Sequence, residues 1–276
     1  MRGIPGMTFT VLGASGFIGS RIVRAFDEHA LPYRAPKRED DLRGLPLGHV
    51  LYCIGLTADF RRRPYDTVRA HVCHLLSLVE SADVESLLYL STTRLYGKVG
   101  STREDVSLVV NPQDPGDLYN ISKLMGESIC LATDRPTIRI ARLSNVYGDD
   151  FSSENFLSSV VGDAITKGHV TLHTSQASAK DYISIDDVVQ LLPRIAREGR
   201  QRIYNVASGM NTTNAEILDV VRQQTGCSVE WSEDAETIAF PPINIDRIRD
   251  EFDHAPSSIV NSLGDLIGAY QRESRS

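Results

Sequence analysis

The stretch Thr8-Phe9-Thr10-Val11-Leu12-Gly13-Ala14-Ser15-Gly16-Phe17-Ile18-Gly19-Ser20 decides how this chain is read. It opens on a short apolar, β-branched run of the kind buried in a parallel sheet. Three glycines spaced three apart come next, and Phe17-Ile18, Ile22-Val23 and Phe26 then recur at the period of a buried helix face. Strand, glycine turn and helix together present free backbone N–H groups and a positive helix end to a phosphate. Gly13 permits the tight turn, Gly16 lets a pyrophosphate approach, and Gly19 lets the helix lie close on the strand. Ser15, Phe17 and Ile18 complete the turn that would face the phosphates. A glycine triplet also closes ordinary strand–helix corners. Its place directly after the first strand, together with the tyrosine, lysine and hydroxyls further along the chain, favours the phosphate reading.

The alternation continues along the chain. Leu31-Pro32-Tyr33-Arg34 falls where a second parallel strand is due, and the end of that strand lies beside the adenosine ribose in a dinucleotide fold. An acid there would bind the ribose 2′-OH and favour NAD; between 31 and 38 there is none, and Arg34, Lys37 and Arg38 stand in its place. Cations suit a 2′-phosphate, so NADP is favoured over NAD, against the plainer reading of solvated loop charges. His49 to Gly55 reads as a third buried strand, and a helix with apolar Val68, Val72, Leu75, Leu76 and Val79 comes after it. Ser86 to Leu90 is a fourth strand, Leu118 to Thr133 a helix, Pro136 to Arg142 a fifth strand and Arg202 to Val206 a sixth. Strands alternating with helices give an α/β fold, a doubly wound parallel sheet. The expected division is a dinucleotide-binding core over 1–150 and a small C-terminal substrate-binding region over 151–276, with 182–206 returning to the core.

Tyr119 and Lys123 stand four apart, so they share one face of their helix. A free tyrosine, with a pKa near 10, is a poor base at neutral pH. An ammonium beside it, with the cationic ring of an oxidised nicotinamide nearby, favours the phenolate. Tyr119 can then take a proton from a substrate alcohol as hydride leaves its carbon, or return one to a ketone. Thr92, at the carboxyl end of the fourth strand, would hold the same substrate oxygen. The i, i+4 spacing is common by chance; in company with the glycine turn and the hydroxyl-bearing strand end it points to function.

These pieces resemble the extended short-chain dehydrogenase/reductase family, the NAD(P)-dependent sugar epimerases, dehydratases and reductases. The matching segments are Gly13 to Gly19, Leu90-Ser91-Thr92-Thr93-Arg94-Leu95-Tyr96-Gly97, Tyr119-Asn120-Ile121-Ser122-Lys123, Arg142 to Gly148, Lys180 to Val188 and Tyr204 to Ser208. The resemblance implies Tyr119 as acid/base, Lys123 on the nicotinamide ribose, and Thr92 as hydroxyl partner, with Thr93 or Ser91 as fallbacks. It further implies Asp41 and Leu42 beside the adenine, and Thr93, Asn145 and Lys180 near the substrate. Members that carry out 4,6-dehydration follow the catalytic Thr with Asp-Glu; Thr93-Arg94 stand here instead. The implied activity is that of an epimerase or oxidoreductase acting on a hydroxyl or keto group of a sugar, foremost a nucleoside-diphosphate sugar. The alternatives are a non-catalytic NAD(P)-sensing regulatory protein and a reductase of a smaller substrate. Helices 66–82 and 118–133 would pair with their copies in a homodimer.

Composition bounds the rest. The 276 residues are 41% hydrophobic, enough for one large α/β core, and with a net charge of −7 nothing suggests a polyanion-binding surface. No nucleic-acid or membrane partner is expected. Residues 1–6 read as a loose leader, and no secretory or membrane-spanning run is visible, so a soluble cytoplasmic protein is expected. The four cysteines lack metal or redox spacing and read as buried free thiols. His71 and His74, flanking Cys73, read as a helix-surface pair rather than a metal site. No metal is expected, and Arg139 and Arg142 are given no role.

Overall fold

The first half of the chain builds strands whose two faces are both covered, which explains their near-continuous apolar sequences. The computed structural model describes residues 8–57, 59–151 and 155–274; the leader read at 1–6 lies outside them. In order come β1 (Phe9–Leu12), α1 (Phe17–Glu28), β2 (Tyr33–Arg34), β3 (His49–Tyr52), α2 (Pro64–Val68), α3 (His74–Ser81), β4 (Ser86–Thr92), α4 (Leu118–Leu131) and β5 (Ile138–Leu143). Next are β6 (Asn145–Tyr147), α5 (Phe156–Thr166), β7 (His169–Thr174), β8 (Ala179–Ser184), α6 (Ile185–Glu198) and β9 (Ile203–Val206). The chain ends with β10 (Asn211–Thr213), α7 (Asn214–Thr225), β11 (Ser228–Glu236), α8 (Asp246–Phe252) and α9 (Ile259–Glu273).

Six of these strands form one parallel sheet in the order β2-β1-β3-β4-β5-β9. The chain leaves β1 toward β2 on one side and comes back to β3 on the other. The order therefore reverses at β1, and the crevice that this opens lies beyond the carboxyl ends of β1 and β3. Register fixes the two faces. Val11, Leu51 and Leu88 are partners across three strands and bury against Ile22, Phe26, Val188 and Leu191 of α1 and α6. Leu12, Tyr52 and Tyr89, one residue on, face the other way and pack with Leu75, Leu78 and Cys130 of α3 and α4.

A smaller unit stands beside the sheet. Strands β10-β8-β6 and the pair β11-β7 carry a separate core of Leu157, Val160, Leu172, Ile217, Val221, Leu263 and Ile267, drawn from α5, α7 and α9 as well. The chain builds β6 to β8 there, crosses back through α6 to add β9 to the main sheet, then returns for β10 and α7. No helix among the described residues is long and apolar enough to cross a membrane.

The helix after β3 departs from its sequence pattern. Residues 69–73 form a π turn between α2 and α3, and the extra residue in that turn rotates one half of the helix against the other. The buried line is Thr67, Ala70, His71, Leu75 and Leu78, while Leu76 of the expected apolar face is 41% exposed. His71, expected on the surface, is fully buried, and Cys73, expected to be buried, is exposed.

A charged pair sits inside the sheet–helix interface. Arg142 on β5 donates from Nε (3.0 Å) and Nη2 (2.7 Å) to the two carboxylate oxygens of Glu127 on α4. Both side chains are 3% exposed. Ser91 Oγ donates to the same carboxylate at 2.5 Å, and Arg142 Nη1 reaches the Tyr96 hydroxyl at 2.7 Å, which donates on to Asn205. Arg142 thus ties β4, α4, β5 and β9 together. Desolvating two charges costs several kcal/mol, which the bidentate geometry and the added hydrogen bonds offset. Removing one partner strands the other: Glu127→Leu should cost about 3–5 kcal/mol in urea unfolding, and Glu127→Leu with Arg142→Met should recover most of that loss.

Candidate active site

The glycine corner is tight enough to require its glycines. Gly13 has φ +81°, and a Cβ on Gly19 would stand 2.2 Å from the Gly13 carbonyl oxygen. Gly16 is the N-cap of α1 in extended conformation, and no side chain caps the helix. The first-turn N–H groups of α1 therefore point into the crevice without a side-chain acceptor, with Ser15 and Gly16 exposed and Phe17 and Ile18 half-buried. A backbone cradle that side chains would fill, at a positive helix end, fits a dinucleotide pyrophosphate.

Around the end of β2 the cations are partly engaged. Arg34 pairs in register with Thr10 of β1, is exposed, and donates to the Pro46 carbonyl at 3.1 Å. Arg38 is exposed. Asp41 is clasped by Arg43 at 2.8 and 2.9 Å, whose hydrogen bonds hold its carboxyl at about 2. Leu42 packs, half-buried, on the α3–α4 side of the sheet.

Tyr119 and Lys123 lie on the first turns of α4, beyond the carboxyl end of β4, and both are buried. The Tyr119 ring packs on Phe60 and edge-on to His71, each 5.4 Å between centroids. Burial raises its pKa; hydrogen bonds from Thr57 and Thr92 and the charge of Arg94 pull it back down. Lys123 Nζ lies over the Tyr119 ring, 5.9 Å from its centroid, and its hydrogen bond goes to the Leu90 carbonyl at 2.8 Å. Burial pushes the amine down to about 7, against the opposing pull of Glu127 and Cys53. Desolvation, which a sequence does not display, thus works against the acidification expected of Tyr119.

Two residues that the sequence did not mark complete the surroundings. Thr57 follows β3 and brings a second hydroxyl to the phenol. His71 Nε2 accepts from the Leu56 N–H at 3.2 Å, which leaves the ring proton on Nδ1, 2.8 Å from Ser122 Oγ. Ser122 donates in turn to the Tyr119 carbonyl at 2.8 Å, so the imidazole clamps the loop after β3 to the helix that carries Tyr119. Burial, and then the nearby Lys123, push His71 down to about 3, which keeps it neutral. A hydroxyl just past a strand end was the available signal for Thr57; only the π turn reveals His71.

The substrate-side candidates are spread around this centre. Thr92 Oγ1 accepts from the Arg94 N–H at 3.2 Å, and Thr93 is buried. Asn145 is exposed and donates to the Asp181 carbonyl at 2.8 Å. Lys180 is half-buried over the Phe156 ring, 5.7 Å away. Among the described residues no group of three or more His, Cys, Asp or Glu converges as a metal site.

Known proteins share this architecture. A model described as the NAD dependent epimerase/dehydratase family matches residues 47–207. The chain is 27% identical over 179 residues to a dTDP-glucose 4,6-dehydratase of Streptomyces griseus, covering 60% of this chain and 53% of that one. It spans about half the length, or less, of the first curated relatives it matches. Among solved structures, DesIV, a dTDP-glucose 4,6-dehydratase from Streptomyces venezuelae with NAD bound, superposes with a TM-score of 0.80 at 21% identity, over 98% of each chain. A UDP-glucose 4-epimerase from Thermotoga maritima with UDP-glucose gives a TM-score of 0.76 at 18% identity, over 98% of this chain and 100% of that one. At such identities the superpositions establish the fold.

The lysine offers a direct test of this geometry. The unfolded chain holds the Lys123 proton up to pH 10.5, whereas the folded chain releases it near 7. Folding therefore pays its full penalty for the buried amine at and below pH 7 and is relieved as the pH climbs toward 10.5. Lys123→Met removes this dependence. Wild-type stability should gain on that of the variant by about 2 kcal/mol between pH 7 and pH 9, read by urea unfolding across the range.

Proposed function

The chain belongs to the NAD dependent epimerase/dehydratase family, and from that premise we propose that it is an epimerase or oxidoreductase acting on a hydroxyl or keto group of a nucleoside-diphosphate sugar. The observation that carries this reading is the buried Tyr119 phenol, one helical turn from the buried Lys123. Against the effect of burial, the Thr57 and Thr92 hydroxyls and the Arg94 guanidinium favour the ionised phenol. Eliminating water from a sugar needs a further acid and base beside the acid/base tyrosine. Thr93 and Arg94 come directly after Thr92 and supply neither, which favours epimerisation or net oxidation–reduction over 4,6-dehydration.

In this reading the N–H groups of the Gly13–Gly19 turn hold the cofactor pyrophosphate, with Ser15, Phe17 and Ile18 in the same turn. Asp41 and Leu42 flank the adenine, and Lys123 holds the nicotinamide ribose. When bound, the nicotinamide supplies the hydride acceptor or donor. Thr92 hydrogen-bonds the reacting oxygen of the substrate. Tyr119 takes the hydroxyl proton onto its phenolate as the carbonyl forms, and gives it back when the carbonyl is reduced. Burial favours the neutral phenol, so Tyr119 is set to donate and needs the Lys123 ammonium to accept. Asn145, Lys180 and Thr93 contact the remainder of the substrate. Exposed Leu76, Met125 and Leu131 on α3 and α4 support a homodimer through these helices.

Tyr119→Phe should lower turnover about 10²–10⁴-fold while leaving NAD(P)H binding by fluorescence titration intact; unchanged turnover would point instead to a cofactor-sensing protein. The exposed Arg34 and Arg38 support NADP as cofactor. Arg34→Ala should weaken NADP binding about tenfold with little effect on NAD, and wild-type protein that binds NAD as tightly as NADP refutes the preference.

A further inference from the structure

Two arginines stack on one aromatic ring beside the proposed acid/base. The Arg61 guanidinium lies 4.5 Å from the centroid of Phe60, and that of Arg94 lies 5.4 Å from the same ring and 5.8 Å from Tyr119. Phe60 is 2% exposed, so the platform beneath the two cations is fixed. Arg94 also donates to the Gly116 carbonyl at 3.5 Å, and Arg61 lies against the same Gly116. The neighbours of Arg61 in its loop are all matched with acids: Arg62 with Asp59, and Arg63 and Arg69 with Asp66. Arg61 and Arg94 have no carboxylate partner among the described residues. Asp114, which borders the same Gly116 as Arg61, accepts from the Gly116 N–H and pairs with Lys98. The charge of Arg94 is felt as far as Lys180, whose pKa is lowered by burial first and by Arg94 second.

Two exposed guanidinia over one buried ring raise the positive potential that an arriving anion meets. Arg94 spends Nη2 on the Gly116 carbonyl, and the remaining N–H groups of a guanidinium can meet a carboxylate in paired hydrogen bonds. We propose that Arg94, with Arg61 beside it, is a carboxylate-binding subsite next to Tyr119, and that the substrate is a nucleoside-diphosphate hexuronate. The proposal rests on the reading of Tyr119 as acid/base. In a hexuronate the carboxylate carbon is two bonds from the carbon bearing the 4-hydroxyl, so a guanidinium beside the phenol reaches one while the phenol meets the other. A sugar with a neutral hydroxymethyl group at that place would leave both cations unmatched.

The full chain loaded with cofactor is titrated calorimetrically with UDP-glucuronate and with UDP-glucose, which differ only at that carbon. Wild type should bind UDP-glucuronate at least tenfold tighter. Arg94→Gln should bring the two affinities within about twofold by weakening UDP-glucuronate alone, and Arg94→Lys should keep part of the preference. Equal wild-type affinities, or binding of neither ligand, overturn the proposal. So does an Arg94→Gln that weakens both alike, the mark of an arginine on the diphosphate. Turnover lost in Tyr119→Phe, with the two ligands bound alike, sinks the carboxylate subsite and spares the tyrosine. Ligands told apart, with turnover indifferent to Tyr119→Phe, sink the tyrosine reading and spare the subsite.

Discussion

The approach of Gly19 to the Gly13 carbonyl is the constraint on which the rest of the molecule depends. With no side chain between them, α1 lies directly on the end of β1, and its first-turn amides open into the crevice where the strand order reverses. Strands β3 and β4 then end at neighbouring depths in the same sheet. The loop after β3 supplies Thr57, and the last residue of β4 supplies Thr92, both of which act on one phenol. A fold that merely stacked helices on a sheet would not bring a phosphate-sized cradle and a buried tyrosine to one edge; the parallel register does.

Charge is handled in three distinct ways around that edge. Inside, Glu127 and Arg142 neutralise each other in a bidentate pair that also fixes Ser91, Tyr96 and Asn205. One helical turn away, Lys123 is buried with a backbone carbonyl for partner, and burial pushes its pKa down to about 7. At the rim, Arg61 and Arg94 lie over Phe60 with no carboxylate partner among the described residues. The gradient runs from satisfied to unsatisfied as the solvent is approached, which is the direction from scaffold to ligand.

Much of this is legible in the residues and some is not, for identifiable reasons. The unbroken apolar character of Phe9–Leu12 and His49–Tyr52, and the glycine spacing after the first of them, are local signals, and the α/β sheet follows from them. The common face of Tyr119 and Lys123 follows from their spacing on α4. The pairing of Arg142 with Glu127 joins a strand to a helix and leaves no periodic trace. The stacking of Arg94 on Phe60 joins two loops and leaves none either. The desolvation of Tyr119 depends on packing by Phe60 and His71, residues far from it in sequence. Ordinary helical periodicity puts His71 on the surface, because it runs straight through a turn that does not obey it.

That turn has a consequence for how this chain is compared with others. Residues 69–73 hold one residue more than a regular helix would need to join α2 to α3. The halves of the helix are therefore out of phase, and a homologue that is α-helical throughout can be aligned to only one of them at a time. Unless a single-position gap is opened within 69–73, every inward side chain on the other half is matched to an outward one. His71 would then be compared with a solvent residue, and the clamp between the β3 loop and α4 would vanish from the alignment.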